Sequence, residues 1–134
     1  MTVGILKKAI ENAEKSRMYP YRIGCVIFRG KKILSCGYNQ VRTSSRIPDK
    51  YKKYIEALHA EQHAVMKIKN KEVLFGASML VIRISRAGKL TMSKPCENCM
   101  KTIRHFNFKE VYYSNSNGEI VSEKISGNIQ HENQ

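Results

Sequence analysis

Apolar residues at the start of the chain recur at helical spacing. Each is separated from the next by three to four residues, which is the repeat of an amphipathic helix that buries one side. The pattern predicts a helix over residues 2 to about 17, and Tyr19-Pro20 ends it because proline cannot continue a helix. The residues expected to face the core are Val3, Leu6, Ile10 and Ala13.

Two short apolar runs come next, and the first of them is rich in β-branched residues. They cover residues 23–28 and 33–38, and Gly30-Lys31-Lys32 separates them. Runs of this length joined by a tight turn that contains glycine are typical of a β-hairpin. We therefore expect two antiparallel strands.

The stretch over residues 40–56 has a different character. It is polar and basic, contains Pro48, and shows no clear period until about residue 51. Loops longer than about 12–15 residues inside a compact domain tend to be functional or mobile. This segment therefore predicts a long loop that carries function.

The rest of the chain alternates between helical and strand-like patterns. They predict a helix from residue 58, a buried strand over 77–84, a helix over about 96–106 and a strand over 111–113. A turn at 115–118 then leads to an edge strand that is antiparallel to the strand before it. The residues from about 127 onward are polar and form a tail.

This order of elements predicts an α/β protein. A helix, a hairpin, a helix, a strand, a helix and two strands fit a three-layer α/β/α sandwich around one mixed sheet of about five strands. We expect one domain over residues 1–134, since domains of roughly 100–150 residues are the commonest.

Composition narrows the setting and the partners. The chain has 24 basic and 11 acidic residues, a net charge of +13, which favours anionic partners such as nucleotide phosphates or nucleic acid. No apolar run approaches the ~18 residues of a membrane span, and no signal peptide is apparent, so we expect a cytoplasmic protein without a membrane partner. Its four cysteines do not indicate a disulfide framework in that compartment. Two of them, Cys25 and Cys36, lie in strand-like runs and are expected to pack as small apolar residues.

Two short motifs carry the candidate chemistry. His59-Ala60-Glu61 lies at the start of the second predicted helix, and Pro95-Cys96-Glu97-Asn98-Cys99 lies at the start of the third. Catalytic zinc uses three protein ligands and keeps one position open, and His59, Cys96 and Cys99 provide three. We therefore expect a Zn²⁺ site, in which the metal lowers the pKa of a bound water to about 7.

Glu61 follows His59 too closely to point at the metal in the same way. It is placed to take a proton from the attacking water and to deliver it to the substrate, so we assign it as the general acid and base.

Other interpretations of these residues remain open. The two cysteines could belong to a closed structural zinc site or to a thiol redox pair. His59 and His63 have the spacing of a zinc protease helix, but in that motif glutamate directly follows the first histidine. We expect His63 to be an ordinary packed or surface residue.

The two motifs together resemble the zinc region of the cytidine and deoxycytidylate deaminase superfamily. A His-x-Glu motif followed by Pro-Cys-x-x-Cys is the signature of zinc deaminases. Ala64-Val65 and Ile103 extend the match, and the order of elements extends it over about residues 4–125. The resemblance implies a cytidine deaminase-like fold, a catalytic Zn²⁺ and hydrolytic removal of an amino group from a nucleobase.

The resemblance also implies substrate contacts. The side chain of Asn39, at the end of the second strand, is expected to contact the sugar or base, and the backbone amide of Ala60 to hold the base carbonyl. Ser93 is similar to the Ser/Thr position just before the Pro-Cys motif. Arg42 begins a group of arginines and hydroxyls that could bind a 5′-phosphate, or could be a solvated basic loop.

The substrate implied is a cytosine nucleotide or nucleoside of the dCMP, CMP or cytidine type, converted to the uracil form with release of ammonia. A homo-oligomer is the habit of this fold. The tight turn at 115–118 is unlike tRNA-type and polynucleotide-editing members, which have a helix there. The high positive charge nevertheless leaves two alternatives: a base deaminase acting on RNA or DNA, and a catalytically idle, zinc-stabilised nucleic-acid-binding module.

Overall fold

A computed structural model describes residues 1–41 and 57–125 of the chain. Its helices are α1 (Val3–Lys15), α2 (Ala60–Met66) and α3 (Glu97–His105), with a short 3-10 helix over Lys71–Leu74. Its strands are β1 (Arg22–Arg29), β2 (Lys32–Tyr38), β3 (Gln40–Val41), β4 (Ala57–Leu58), β5 (Ser78–Ile84), β6 (Leu90–Thr91), β7 (Glu110–Ser114) and β8 (Ile120–Lys124).

Most strands form one sheet in the order β2-β1-β5-β7-β8, and short β6 pairs with the end of β5. The β5–β7 pair is parallel and the other pairs are antiparallel. The mixed sheet is therefore confirmed, as are the hairpin β1–β2, which turns at Gly30 with a positive φ of 60°, and the antiparallel pair β7–β8. Strands β3 and β4 form a separate two-stranded ladder at the two ends of the undescribed segment 42–56.

Helices cover both faces of this sheet. Side chains of a strand alternate between its faces, so Met79 and Val81 of β5 pack with α2 and α3, whereas Leu80 and Ile82 pack with α1. This arrangement confirms the three-layer α/β/α sandwich. Ala64 and Val65 of α2 and Ile103 of α3 are buried in the core on their side of the sheet.

The core face of α1 differs from the predicted one. Ala13 is buried as predicted, but Val3 is 83% exposed, and Ile5 and Ala9 are buried instead. Leu6 and Ile10 lie at the flank and pack on the core only partly. The reason is the close approach of α1 to β1, which small side chains permit and larger ones do not.

Two glycines set the spacing between layers. A Cβ built on Gly24 of β1 would lie 2.1 Å from the Ala9 carbonyl oxygen of α1. A Cβ on Gly37 of β2 would lie 2.6 Å from the Ala64 amide nitrogen and 2.7 Å from the Ala60 carbonyl oxygen of α2. In both places only glycine lets the helix backbone rest on the strand.

Replacing Gly37 with alanine should therefore destabilise the fold. The new methyl group meets backbone atoms, so α2 has to shift, and overpacking of this kind costs about 1–3 kcal/mol or more of unfolding free energy. Urea unfolding of Gly37→Ala and of Gly4→Ala measures the difference, because the nearest atom to a Cβ on Gly4 is 3.8 Å away. Equal stability of the two variants would show that the layers are not held at this spacing.

None of the three α-helices in residues 1–41 and 57–125 has the length and apolar character needed to cross a membrane.

Candidate active site

The two motifs lie at the starts of neighbouring helices. His59 is the N-cap of α2, and its backbone N–H donates to Gln62 Oε1 at 3.1 Å. Cys96 is the N-cap of α3, and its carbonyl oxygen accepts from the Met100 amide at 2.9 Å. The positive ends of both helix dipoles therefore point at the same region, which favours ionised thiolates there.

His59, Cys96 and Cys99 meet at this point. Their ligand atoms all lie within 4.8 Å of one another. Nδ1 of His59 is 3.2 Å from the Cys99 sulfur and 3.8 Å from the Cys96 sulfur. Tetrahedral zinc with ordinary bond lengths places a nitrogen and a sulfur ligand about 3.6 Å apart. The three residues thus fit one zinc ion, with Nδ1 as the histidine donor.

Glu61 lies beside the ligands and is not one of them. Glu61 is buried, with 6% of its surface exposed. Burial is the main reason why the pKa of the Glu61 carboxyl is raised. Burial, followed by the charge of Glu61, holds the pKa of the Cys99 thiol well above its usual range. A divalent cation favours the charged forms of both groups, so the pair fits a metal site.

A cavity of about 240 Å³ opens over these residues. Its lining includes His59, Ala60, Glu61 and Cys96, together with Asn39 and Ser93. Its size is somewhat below the roughly 300–1,000 Å³ of sites for drug-sized ligands. The arrangement therefore suits one small polar molecule held against the metal ligands.

Asn39 is fastened to the backbone. Its Oδ1 accepts from the Ile23 amide at 2.9 Å, and its Nδ2 donates to the Tyr21 carbonyl oxygen. The side chain thus ties the end of β2 to the start of β1, while it still borders the cavity. Its contact with a substrate stays a prediction.

Ser93 is more fully engaged. Its hydroxyl donates to the Val81 carbonyl oxygen at 2.7 Å and accepts from the Ser114 amide at 2.9 Å, with Ser114 Oγ a further 2.7 Å contact. These contacts join the segment before α3 to β5 and β7. The hydroxyl holds Pro95 and Cys96 in place, and its predicted substrate role stays untested.

Of the other two predicted substrate contacts, Ala60 lies within the described residues and Arg42 does not. Ala60 is the first residue of α2 and borders the cavity, and the amide of a first helical residue has no partner within its own helix. Arg42 lies outside the described residues, as does the rest of the predicted phosphate-binding loop.

Sequence reasoning missed a cation in the cavity wall. Arg83 of β5 lines the cavity, and its guanidinium lies 4.3 Å from the ring centre of Tyr21, which lines it too. The available signal was an arginine inside an apolar strand, close to its end.

His63 packs between α2 and the end of β2. Its Nδ1 lies 3.2 Å from the Tyr38 amide nitrogen, which donates to it, and its ring meets the Tyr38 ring edge-on at 5.2 Å. It belongs neither to the metal ligands nor to the cavity wall. The structure agrees with a packed histidine that joins α2 to the end of β2.

This packing makes stability depend on pH. Burial, followed by the Lys67 charge, lowers the pKa of His63 below its ordinary value near 6.5. Just below pH 6.5 the unfolded chain therefore binds more protons than the folded chain. The contribution is present above that pH and is lost as pH falls through the folded-state pKa. Urea unfolding at pH 7 and pH 5 should show a smaller pH dependence for His63→Gln than for the wild type, and equal slopes would contradict this.

Comparison with protein families identifies the region. The model described as "Cytidine and deoxycytidylate deaminase zinc-binding region" matches residues 3–115. A comparison with curated protein sequences gives no match.

Solved structures share the fold. The dCMP deaminase from cyanophage S-TIM5 in apo form is 22% identical with a TM-score of 0.61, and covers 87% of this chain and 86% of its own. The same enzyme in complex with dCMP and dUMP is 21% identical with a TM-score of 0.54, and the match covers 87% of this chain and 85% of that chain. Cytidine deaminase from Burkholderia pseudomallei is 17% identical with a TM-score of 0.65, and the match covers 92% of this chain and 93% of that chain.

Proposed function

Because the chain belongs to the cytidine and deoxycytidylate deaminase family, we propose that it deaminates a cytosine nucleotide or nucleoside, of the dCMP, CMP or cytidine type, to the uracil form. The observation that carries the proposal is the position of Glu61. Glu61 is buried and lines the cavity together with His59 and Cys96, and it lies outside the group of three metal-ligating residues. A structural zinc site has no use for such a group.

His59, Cys96 and Cys99 would hold the zinc ion. When bound, it supplies a water whose pKa is lowered toward about 7. Three protein ligands would leave a fourth position for water, which is what a hydrolytic zinc site requires.

Glu61 carries the protons. Its carboxylate accepts a proton from the water that attacks C4 of cytosine, and gives it to N3 of the ring. A second transfer from the attacking oxygen to the amino group lets the C4–N bond break. Water is consumed, ammonia leaves and the uracil base remains.

Backbone and side-chain donors would orient the base. Ala60 is the first residue of α2 and lines the cavity, and its backbone amide would donate to the base carbonyl at C2. Asn39 also lines the cavity, and its side chain has hydrogen-bonding capacity beyond its two backbone contacts. Both would hold C4 over the metal ligands.

Three features support a small substrate. The cavity volume suits a single nucleoside or nucleotide. The connection from β7 to β8 is a tight turn at Asn115–Gly118, without the helix expected of polynucleotide-acting members. Among proteins of the same fold is a dCMP deaminase solved with dCMP and dUMP.

Ammonia release from a matched panel of substrates tests the proposal. We expect the zinc-loaded protein to act on at least one of cytidine, deoxycytidine, CMP and dCMP, and not on adenosine or guanine. Turnover of a cytosine-containing oligonucleotide alone would indicate a base deaminase of nucleic acid. Zinc binding without any ammonia release would indicate a catalytically idle binding module.

A further inference from the structure

The cavity beside the zinc ligands is lined by an arginine, Arg83, that the proposed chemistry does not use. Arg83 lies in β5, whose neighbours along the strand are apolar and buried. Residues 79, 81 and 83 alternate with 80, 82 and 84, and Met79 and Val81 face the side of α2 and α3. Arg83 therefore projects from the same face of the sheet as Met79 and Val81, which is the face that α2 and α3 cover.

Nothing on the protein neutralises this arginine within the described residues. The ion pairs found over residues 1–41 and 57–125 are Lys8–Glu11, Lys94–Glu123 and Arg104–Glu97. The other cation of the cavity wall, Lys94, is thus held by Glu123 at 3.2 Å. Arg83 is the cavity cation without a carboxylate partner in this part of the chain.

The Arg83 guanidinium is held in place by a ring contact, but its hydrogen bonding is incomplete among the described residues. Tyr21 stacks on it at 4.3 Å and restricts its plane, and its Nε is buried without a hydrogen-bond partner among the described residues. A buried donor of this kind costs free energy unless a ligand completes it. The planar fork of arginine matches the oxygens of a phosphate, to which it can donate two parallel hydrogen bonds.

We infer that Arg83 binds the 5′-phosphate of the substrate and selects nucleoside monophosphates over nucleosides. The inference rests on the proposed deamination and names the substrate class of the same site. The cavity already contains one buried carboxyl, Glu61, so an anionic substrate needs a compensating cation there. Arg83 lines the cavity and supplies this cation.

The chain contains a matched control. Arg22 of β1 is also half-buried, also has a buried Nε without a partner, and also stacks on a tyrosine, Tyr19, at 4.5 Å. It lies opposite Ile84 of β5, one residue away from the Ile23–Arg83 pair, and so faces the α1 side of the sheet. Arg22→Gln removes the same charge and the same type of contact without touching the cavity.

The test compares dCMP with deoxycytidine in zinc-loaded wild type, Arg83→Gln, Arg83→Lys and Arg22→Gln. We expect the wild type to prefer dCMP, and Arg83→Gln to lower kcat/KM for dCMP about 10- to 100-fold while leaving deoxycytidine unchanged. Arg83→Lys should retain part of the preference, since lysine keeps the charge without the fork. Arg22→Gln should behave as the wild type.

Several outcomes would overturn the inference. A wild type that treats dCMP and deoxycytidine alike has no phosphate site, and an equal loss on both substrates in Arg83→Gln would make Arg83 a structural residue. A cytosine-containing oligonucleotide processed better than dCMP would assign the cation to a polynucleotide backbone instead.

A binding measurement separates this inference from the proposed function. Calorimetric titration with dUMP and with deoxyuridine needs no turnover. We expect dUMP to bind the wild type at least tenfold more tightly than deoxyuridine, and Arg83→Gln to remove that difference. If the protein binds dUMP in this way but releases no ammonia from any cytosine substrate, the proposed function fails while the phosphate site stands. If ammonia is released but dUMP and deoxyuridine bind equally, the phosphate site fails alone.

Discussion

Replacing Glu61 with glutamine should abolish most turnover and leave the zinc ion in place. A positioned general acid or base contributes roughly 10²–10⁴-fold to a rate. Because the same carboxyl group carries both proton transfers, we expect the upper end of that range. Glutamine keeps the size and the polar character of the side chain but cannot accept the proton, and the three zinc ligands are separate residues. Zinc content by atomic absorption and ammonia release on the best substrate measure the two properties together.

The control for Glu61 is another glutamate close to the metal motif. Glu97 lies between the two cysteine ligands along the chain, but its side chain is 74% exposed and pairs with Arg104 at 3.4 Å. Glu97→Gln should therefore retain zinc and turnover. Activity of Glu61→Gln within tenfold of the wild type would remove Glu61 from the mechanism, and loss of zinc from that variant would make it a ligand or a structural support.

Replacing Cys99 with alanine should remove both the metal and the activity. Cys99 is buried, and its sulfur is the one nearest to the His59 Nδ1. Two remaining ligands hold zinc far less tightly than three. Zinc that binds only the folded state at 100- to 1,000-fold its dissociation constant stabilises that state by about 3–4 kcal/mol. For a chain of this size the loss should lower the melting temperature on the order of 10 °C.

A chelator separates the metal contribution from simple packing. In the presence of a chelator the wild type should fall to nearly the melting temperature of Cys99→Ala, whereas without it the two should differ. Cys36→Ala is the matched control, because Cys36 is half-buried on the α1 side of the sheet, away from the ligands. It should keep one zinc per chain. Full zinc content in Cys99→Ala would contradict the three-ligand site.

Much of the fold could be predicted because local patterns and tertiary packing agree. The hairpin β1–β2, the buried strand β5 and the β7–β8 pair each have strong local signals, and their observed pairing follows from them. The core face of α1 could not be predicted in the same way. The apolar stripe with the largest side chains would have been the expected core, but Gly24 brings the helix so close that alanines face the sheet.

The site divides along similar lines. The convergence of His59, Cys96 and Cys99 could be predicted, because metal ligation depends on residue type and on short spacing within each motif, whereas the role of Glu61 stays a prediction. The interactions of Asn39 and Ser93 could not, because each side chain bonds to backbone groups brought near by the sheet. Arg83 was missed for the same reason, since only the pairing of β5 with β1 and β6 shows which cavity its side chain reaches.

The alternation along β5 also limits how the chain can evolve. Inserting or deleting one residue between Val81 and Arg83 would move the arginine to the α1 side and bring an apolar neighbour to the cavity. Length changes here are therefore tolerable only in steps of two. Homologous chains should vary in length at the Arg86–Lys89 turn, because an insertion there does not change which face of the sheet each β5 side chain occupies.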